Sequence, residues 1–199
     1  MPYSIKAYFP LGFYQGKGIQ GGFERLPTPA RLHAALVAGA YNLERLEGRF
    51  SGSLSPLDQS VFDWLEACPP DAVLAPHCMA DEGNAIAYRN TGLIGASKKT
   101  KTKGDAAFKK VSASSRCFLD GSISWFWVDV PSDEIRDRID QIVQEVPYLG
   151  EAVCPVIIGA SSIEEIPQNA LHRCAPSFDS IGLAIAQPGR HQAWEQSYK

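Results

Sequence analysis

The run SISWFWVDV, residues 122–130, is apolar on both of the faces that a strand presents. Such a run fits a central strand with neighbours on either side, and it makes Trp125 and Trp127 core residues rather than base-stacking platforms. A sheet is therefore the organising element, and everything else in the chain has to be placed around it.

Periodicity supplies the rest. YSIKAYF, residues 3–9, sets Ile5, Ala7 and Phe9 against Tyr3, Lys6 and Tyr8 and reads as a strand that opens the fold. Thr28 then Pro29 is a helix start, with the hydroxyl as N-cap and proline where its missing N–H costs nothing. The helix continues through ARLHAALVAGAYNLERL, where Ala34, Ala35, Ala38 and Gly39 leave a smooth face that another backbone can approach. SPLDQSVFDWLEACPP carries Leu57, Val61, Trp64 and Leu65 at helical spacing and is stopped by Pro69 and Pro70. Short strands are expected around AVLAPHCM and NAIAYRN. Ser132 caps a further helix whose Ile135, Ile139, Ile142, Val143 and Val146 form one stripe, and Pro147 ends it. EAVCPVIIGAS reads as a strand, with APSFDSIGLAIAQ as one more short element. Strand, helix, two strands, helix and strand define an α+β chain with a ferredoxin-like (RRM-like) βαββαβ core, carrying insertions before and within its middle strands.

Composition bounds the setting. With 199 residues and 45% hydrophobic content, the chain can bury a full core, and we expect a single domain over 1–199. No stretch approaches the roughly 18 apolar residues of a membrane span, and MPYSIKAYFP lacks a secretory pattern, so no membrane and a cytoplasmic location are expected. Cys68, Cys78, Cys117, Cys154 and Cys174 are odd in number and never form CxxC pairs, which favours free thiols over disulfides or zinc. His77 beside Cys78 has no second pair at ligand spacing, so neither metal nor other cofactor is expected.

Charge is distributed unevenly. SKKTKTKGDAAFKK, residues 97–110, holds six lysines and one aspartate in a chain of net charge −3, which leaves −8 elsewhere. A basic tract on an acidic body is either a solvated loop or a contact for a polyanion. A second candidate region is LGFYQGKGIQGGFERLP, whose glycines give the backbone freedom to approach a ligand but match neither phosphate-binding fingerprint. Arg31 and His33 follow in the first turn of a helix, where cations oppose the helix dipole unless an anion is present.

The run ERLPTPARLHAALVAGAY, then FDWLEACPP, the arginine of SSRCFL, and VPYLGEAVCPV occur in this order. Together they resemble the amino-terminal, Cas-five-type half of the fused crRNA-binding and crRNA-processing protein of type I-U (I-G) CRISPR systems, a RAMP-superfamily family. The resemblance spans most of residues 1–160. It implies a RAMP domain with a basic, thumb-like insertion around 91–113, and a subunit that grips the 5′ handle of crRNA in a Cascade-like surveillance complex. Implied partners are a backbone (Cas-seven-type) subunit, a large (Cas-eight-type) subunit, and target DNA near the protospacer-adjacent motif. Two departures stand out. The second, RNA-cutting half of the family has no counterpart in these 199 residues, and Glu151 stands where the family commonly has arginine.

With the resemblance, RNA contact is the stronger reading of the tract. The expected RNA-binding residues are Lys17, Arg25, Arg31, Lys98, Lys99, Lys101, Lys103, Phe108, Lys109, Lys110 and Arg116. Arg31 is expected to join the free N–H groups of residues 29–31 on one phosphate; the alternative is an ion pair with Glu24. Tyr148 and Gly150 are expected to form a turn in which glycine takes a conformation other residues avoid. A non-catalytic binding role needs no general acid or base. The alternative, metal-independent cleavage of precursor crRNA, would take His33 as its base, with His77, His172 and His191 in unrelated contexts.

Overall fold

The computed structural model describes residues 1–17, 24–49, 52–81, 115–129, 131–174 and 182–197 in full, and residues 86–90 and 108–112 as backbone. In chain order the elements are β1 (Tyr3–Tyr8), β2 (Phe13–Tyr14), α1 (Pro29–Leu46), α2 (Pro56–Ala67), β3 (Ala72–Leu74), β4 (Cys78–Asp81) and β5 (Ile86–Asn90), followed by β6 (Phe108–Ser112), β7 (Arg116–Leu119), β8 (Ser122–Trp127), α3 (Asp133–Gln144), β9 (Ile157–Ser162), β10 (Leu171–His172) and α4 (Arg190–Ser197).

The main sheet is antiparallel in the order β10-β3-β8-β1-β9. With β10 set aside, the core strands β1, β3, β8 and β9 lie in the spatial order fourth, first, third, second. That order, with α1 and α3 as crossovers, is the ferredoxin-like arrangement that the strand and helix pattern predicts. α2 is an extra helix in the first crossover. Between β3 and β8 the chain inserts residues 75–121. These supply β4 and β7 to a three-stranded sheet of order β2-β7-β4, and the separate β5–β6 ribbon.

Core-facing positions follow from strand register. Tyr3, Ile5 and Ala7 stand opposite Trp127, Trp125 and Ile123, and all six are buried. Tyr3 thus belongs with Ile5 and Ala7, contrary to its expected place beside Lys6 and Tyr8, because odd positions of a strand share one face. Its ring meets Trp64 edge-on at 6.4 Å, and Trp64 in turn lies 5.6 Å from Trp127. Burying each such large side chain contributes about 1.5–3 kcal/mol.

The smooth face of α1 has a definite use. A Cβ at Gly39 would lie 2.8 Å from the Val146 side chain and 2.9 Å from the Ile142 carbonyl, so glycine is what lets the end of α3 come this close. Thr28 and Ser132 cap α1 and α3 as the sequence suggests, accepting from the N–H groups of Arg31 and Ile135, and Ser55 caps α2 by accepting from that of Asp58.

Charge is also buried among the helices. Arg138 of α3 donates from Nε and Nη2 to the two oxygens of Asp58 on α2, at 2.7 and 2.9 Å. It also reaches Glu47 at 3.3 Å and Glu44 at 3.7 Å beside the end of α1. Burial pushes Asp58 up, but the Arg138 fork and the Ser55 hydroxyl outweigh it and hold the carboxyl below its ordinary range. Burial and the neighbouring Asp58 push Glu44 up instead.

Two sequence expectations change. The tract 97–110 does not end as loop: Phe108, Lys109 and Lys110 begin β6, which pairs with β5 so that Lys109 stands opposite Arg89. Phe108 and Val111 bracket two lysines in a pattern a strand accommodates. Among the described part of APSFDSIGLAIAQ, residues 182–187 form no regular element, and the chain instead closes with α4.

Candidate nucleic-acid interface

The glycine-rich segment is anchored at a narrow neck. β2 pairs with β7, setting Phe13 opposite Phe118 and Tyr14 opposite Cys117. Past β2, the Glu24 N–H donates to the Gly16 carbonyl at 3.1 Å, which holds the two ends of the glycine-rich segment together. The loop's interior, residues 18–23, lies outside the described residues.

The neck is tied by one carboxylate. The Tyr14 hydroxyl donates to Glu24 Oε2 at 2.5 Å, and Arg31 donates to the same oxygen from Nε at 3.2 Å and Nη2 at 3.0 Å. Nη2 also donates to the Lys17 carbonyl at 2.5 Å. Burial, together with the bond to Glu24, pushes the Tyr14 hydroxyl far above its ordinary pKa, so it stays protonated and a donor. The ion pair with Glu24, weighed from sequence as the alternative for Arg31, is therefore present. The Arg31 side chain remains 32% exposed, and its Nη1 bonds nothing among the described residues.

The helix start offers less than expected. The Ala30 N–H donates to the Ala184 carbonyl at 2.9 Å and the Arg31 N–H is engaged by Thr28, while Pro29 has no N–H. An anion at this point would meet the guanidinium, not a nest of free amides.

From the other side, VPYLGEAVC packs onto the base of the neck. Gly150 has φ of +101°, and a Cβ there would lie 2.5 Å from the Gln15 carbonyl and 2.6 Å from the Tyr14 ring. The turn expected around Tyr148 and Gly150 is thus present, and it needs glycine for its conformation and for its clearance. The Glu151 N–H donates to the Gln15 carbonyl at 2.9 Å, and the Gln15 side chain donates to the Glu151 carboxylate at 2.9 Å. Glu151, where the resembling family commonly carries arginine, serves this local clasp.

Arg116 sits at the start of β7, one position beyond the Tyr14–Cys117 pair. Its guanidinium lies 5.6 Å from the Phe13 ring centre and 5.3 Å from that of Phe118, and it reaches Asp81 at 3.3 Å. Stacked this way it holds its planar fork at the surface. Arg25 is exposed and near enough to Cys117 for its charge to favour the thiolate there, although burial and the neighbouring Cys78 together push that thiol up to about 12. Lys17 is exposed at the opening of the loop. By register Tyr14 and Cys117 share one face of the β2–β7 pair and Phe13 and Phe118 the other, so Arg31, tied to Tyr14 through Glu24, and Arg116, stacked on the two phenylalanines, flank the end of β2 from opposite faces, with Lys17 just beyond it. Phe108, Lys109 and Lys110 are placed only as backbone in β6, and Lys98, Lys99, Lys101 and Lys103 lie outside the described residues.

The rings of Phe13 and Phe118 are contributors that sequence reasoning missed. The alternation in RCFL carried the information: Arg116 and Phe118 share one face of a strand, and Cys117 and Leu119 share the other.

His33 lies elsewhere. It is buried with Phe62 and Trp194 around it, at ring-centre distances of 5.4 and 5.9 Å. Its Nε2 is 3.0 Å from Glu66 Oε1, and the same oxygen lies 3.0 Å from His191 Nδ1. His33 and His191, unrelated in sequence, thus share one carboxylate. Glu66 also accepts from the N–H groups of Gly189, Arg190 and His191 at 2.6, 3.1 and 2.8 Å, which fastens α4 to α2. Burial pulls His33 down to about 4, more than Glu66 raises it, so the ring is neutral near pH 7. A neutral, enclosed imidazole cannot reach an RNA 2′-hydroxyl. Among the described residues no group of three or more His, Cys, Asp or Glu side chains could hold a metal ion, and no helix is long and apolar enough to cross a membrane.

Fold and site together define a ferredoxin-like domain with partly exposed arginines on the two faces of the β2–β7 pair at the loop neck. The chain is similar in structure to a CRISPR protein from Archaeoglobus fulgidus, with a TM-score of 0.36 and 12% sequence identity over 81% of this chain and 64% of that one. It thus spans less than two thirds of that protein's length. No protein-family model and no curated protein matches the sequence.

Proposed function

We propose that this chain is a non-catalytic RNA-gripping subunit that holds the 5′ handle of crRNA within a type I CRISPR surveillance complex. The observation that carries the reading is the partly exposed Arg31 guanidinium at the neck of the glycine-rich loop, with Arg116 held by Phe13 and Phe118 on the other face of the same strand end. The ordered motifs from ERLPTPARLHAALVAGAY to VPYLGEAVCPV support it from the sequence side. In this role Arg31 and Arg116 clamp phosphates, and the lysine tract follows the backbone of the strand. A backbone (Cas-seven-type) and a large (Cas-eight-type) subunit are its proposed neighbours. The endoribonuclease alternative loses its only proposed base with the burial of His33.

Titration of labelled repeat RNA at two salt concentrations tests the reading. Arg31→Ala is expected to weaken binding about tenfold, since one charge-assisted hydrogen bond contributes about 1.5–3 kcal/mol. Arg31→Lys is expected to recover part of it, because lysine lacks the planar fork. Replacing Lys98, Lys99, Lys101 and Lys103 by alanine is expected to flatten the salt dependence by about 0.7 in log–log slope for each phosphate no longer neutralised. Equal affinities and slopes across these proteins would sink the reading, and a discrete RNA product formed in the presence of EDTA would favour the endoribonuclease.

A further inference from the structure

Among the described residues, the main sheet has helices on one face only at its β1–β9 side. Register assigns Lys6 and Tyr8 to the opposite face, with Tyr8 paired to Ile157 and Lys6 to Gly159. Tyr8 is 48% and Ile157 63% exposed, and Lys6 and Gly159 are exposed too. Tyr148 extends this surface. It pairs with Pro155, and the alternation of buried Cys154, Val156 and Ile158 with outward Pro155 and Ile157 turns Tyr148 to the same side, where it is 45% exposed.

Two properties of this face point to an occupant. None of the outward positions of β1, β8 and β9 carries a carboxylate, in a chain with 22 acidic residues, whereas Lys6 supplies a cation that forms no ion pair among the described residues. Of the other outward positions, Ser4, Ser124 and Phe126 are buried, whereas Ser122, Gly159 and Ser161 are not, and nothing among the described residues lies within 4 Å of where a Gly159 Cβ would be, so Tyr8 and Ile157 stand beside small side chains. A protein strand or apolar groove-binder would be met by a drier patch. Flat aromatic rings beside a lysine, with no negative charge, suit unpaired bases and their phosphates.

We propose that this face is a second single-stranded RNA contact, on which Tyr8 and Tyr148 stack bases and Lys6 meets a phosphate. It rests on the RNA-gripping role proposed above and extends the RNA path from the loop neck onto the open sheet. The VPYLGEAVC segment joins the two: Gly150 and Glu151 touch the neck while Tyr148, two residues earlier, faces the sheet surface.

The test uses the whole chain with a short oligouridine strand and with single-stranded repeat RNA. Tyr8→Ala and Tyr148→Ala are each expected to lower affinity about tenfold, and Tyr8→Phe to bind within about twofold of wild type, since stacking needs the ring and not the hydroxyl. Photocrosslinking of wild type to 5-bromouridine RNA is expected to mark Tyr8 or Tyr148, which keeps the proposal testable even if an alanine variant folds poorly. If wild type binds RNA and Arg31→Ala weakens it, while the tyrosine variants bind normally and no crosslink maps to either ring, this proposal falls and the gripping role survives. If wild type binds neither RNA, both fall together. Tyrosine variants that keep RNA affinity but no longer retain a neighbouring protein subunit would also overturn it, in favour of a protein-binding face.

Discussion

Arg31 on α1 and Arg138 on α3 are both held by carboxylates, but they answer to different demands. Arg138 is 4% exposed and spends its fork on both oxygens of Asp58, with Glu44 and Glu47 around it. Arg31 is held through one oxygen of Glu24 and one backbone carbonyl, with its side chain 32% exposed. A buried charge must be fully partnered because desolvation is expensive, so Arg138 has nothing left to offer a ligand. A half-exposed one can exchange partners with water or phosphate at little cost, so Arg31 can both brace the neck and bind. Sharing a residue type and a helix surface, they differ in accessibility, and that difference separates a structural tie from a candidate RNA-binding residue.

The most severe test of this contrast is at Arg138. Arg138→Met leaves Asp58 buried without its cation, and a loss of about 3–5 kcal/mol is expected in urea unfolding. A loss below about 1 kcal/mol would mean that water already reaches the cluster.

Acid gives the next, through His33. Its folded pKa, about 4, lies below the unfolded value of 6.5, so the unfolded chain takes up a proton that the folded one refuses. Stability is therefore complete above about pH 6.5 and is lost as pH falls toward 4, by up to about 3 kcal/mol. The groups facing the ring are Glu66, His191 and Arg190; Glu66 raises His33 and so limits its loss, but its own carboxyl is lowered and therefore adds a further loss as pH falls. Unfolding midpoints between pH 7 and 4.5 should show the slope, and His33→Phe should remove most of it.

Gly150 probes the floor beneath Arg31. Gly150→Ala combines a positive φ with a clash against the Gln15 carbonyl, and about 1–3 kcal/mol of destabilisation is expected in thermal melts. The smallest effect belongs to Arg31 itself: Arg31→Ala should cost at most about 1 kcal/mol of stability, because its pair is partly exposed. A much larger loss would make Arg31 a structural tie like Arg138.

Much of the frame was legible because it rests on short-range chemistry. Thr28–Pro29 and Ser132 with its acidic followers mark helix starts by local hydrogen bonding alone, and the Ile135–Val146 stripe announces a buried face. Gly39 and Gly150 were readable as places of close approach or special conformation, though not what would approach them. What stayed hidden depends on partners brought together across long sequence separations. The Glu66 oxygen joins His33 to His191 because α4 docks on α2, and the α4 sequence RHQAWEQS has no apolar stripe to announce it. Likewise Tyr14, Glu24 and Arg31 converge through a loop whose glycines disclose freedom but not destination.

β1 occupies the middle of the sheet, yet both of its partners, β8 and β9, come from far along the chain: Tyr8 pairs with Ser122 on one side and Ile157 on the other. During synthesis at about 5–20 residues per second, this first strand waits on the order of ten seconds before β8 exists to pair with it. Sheet closure is consequently a late, high-contact-order event, expected to fold on the slower end of single domains. In the interval Tyr3, Ile5 and Ala7 have no sheet to join, so the nascent β1 segment is one that a chaperone would have reason to cover.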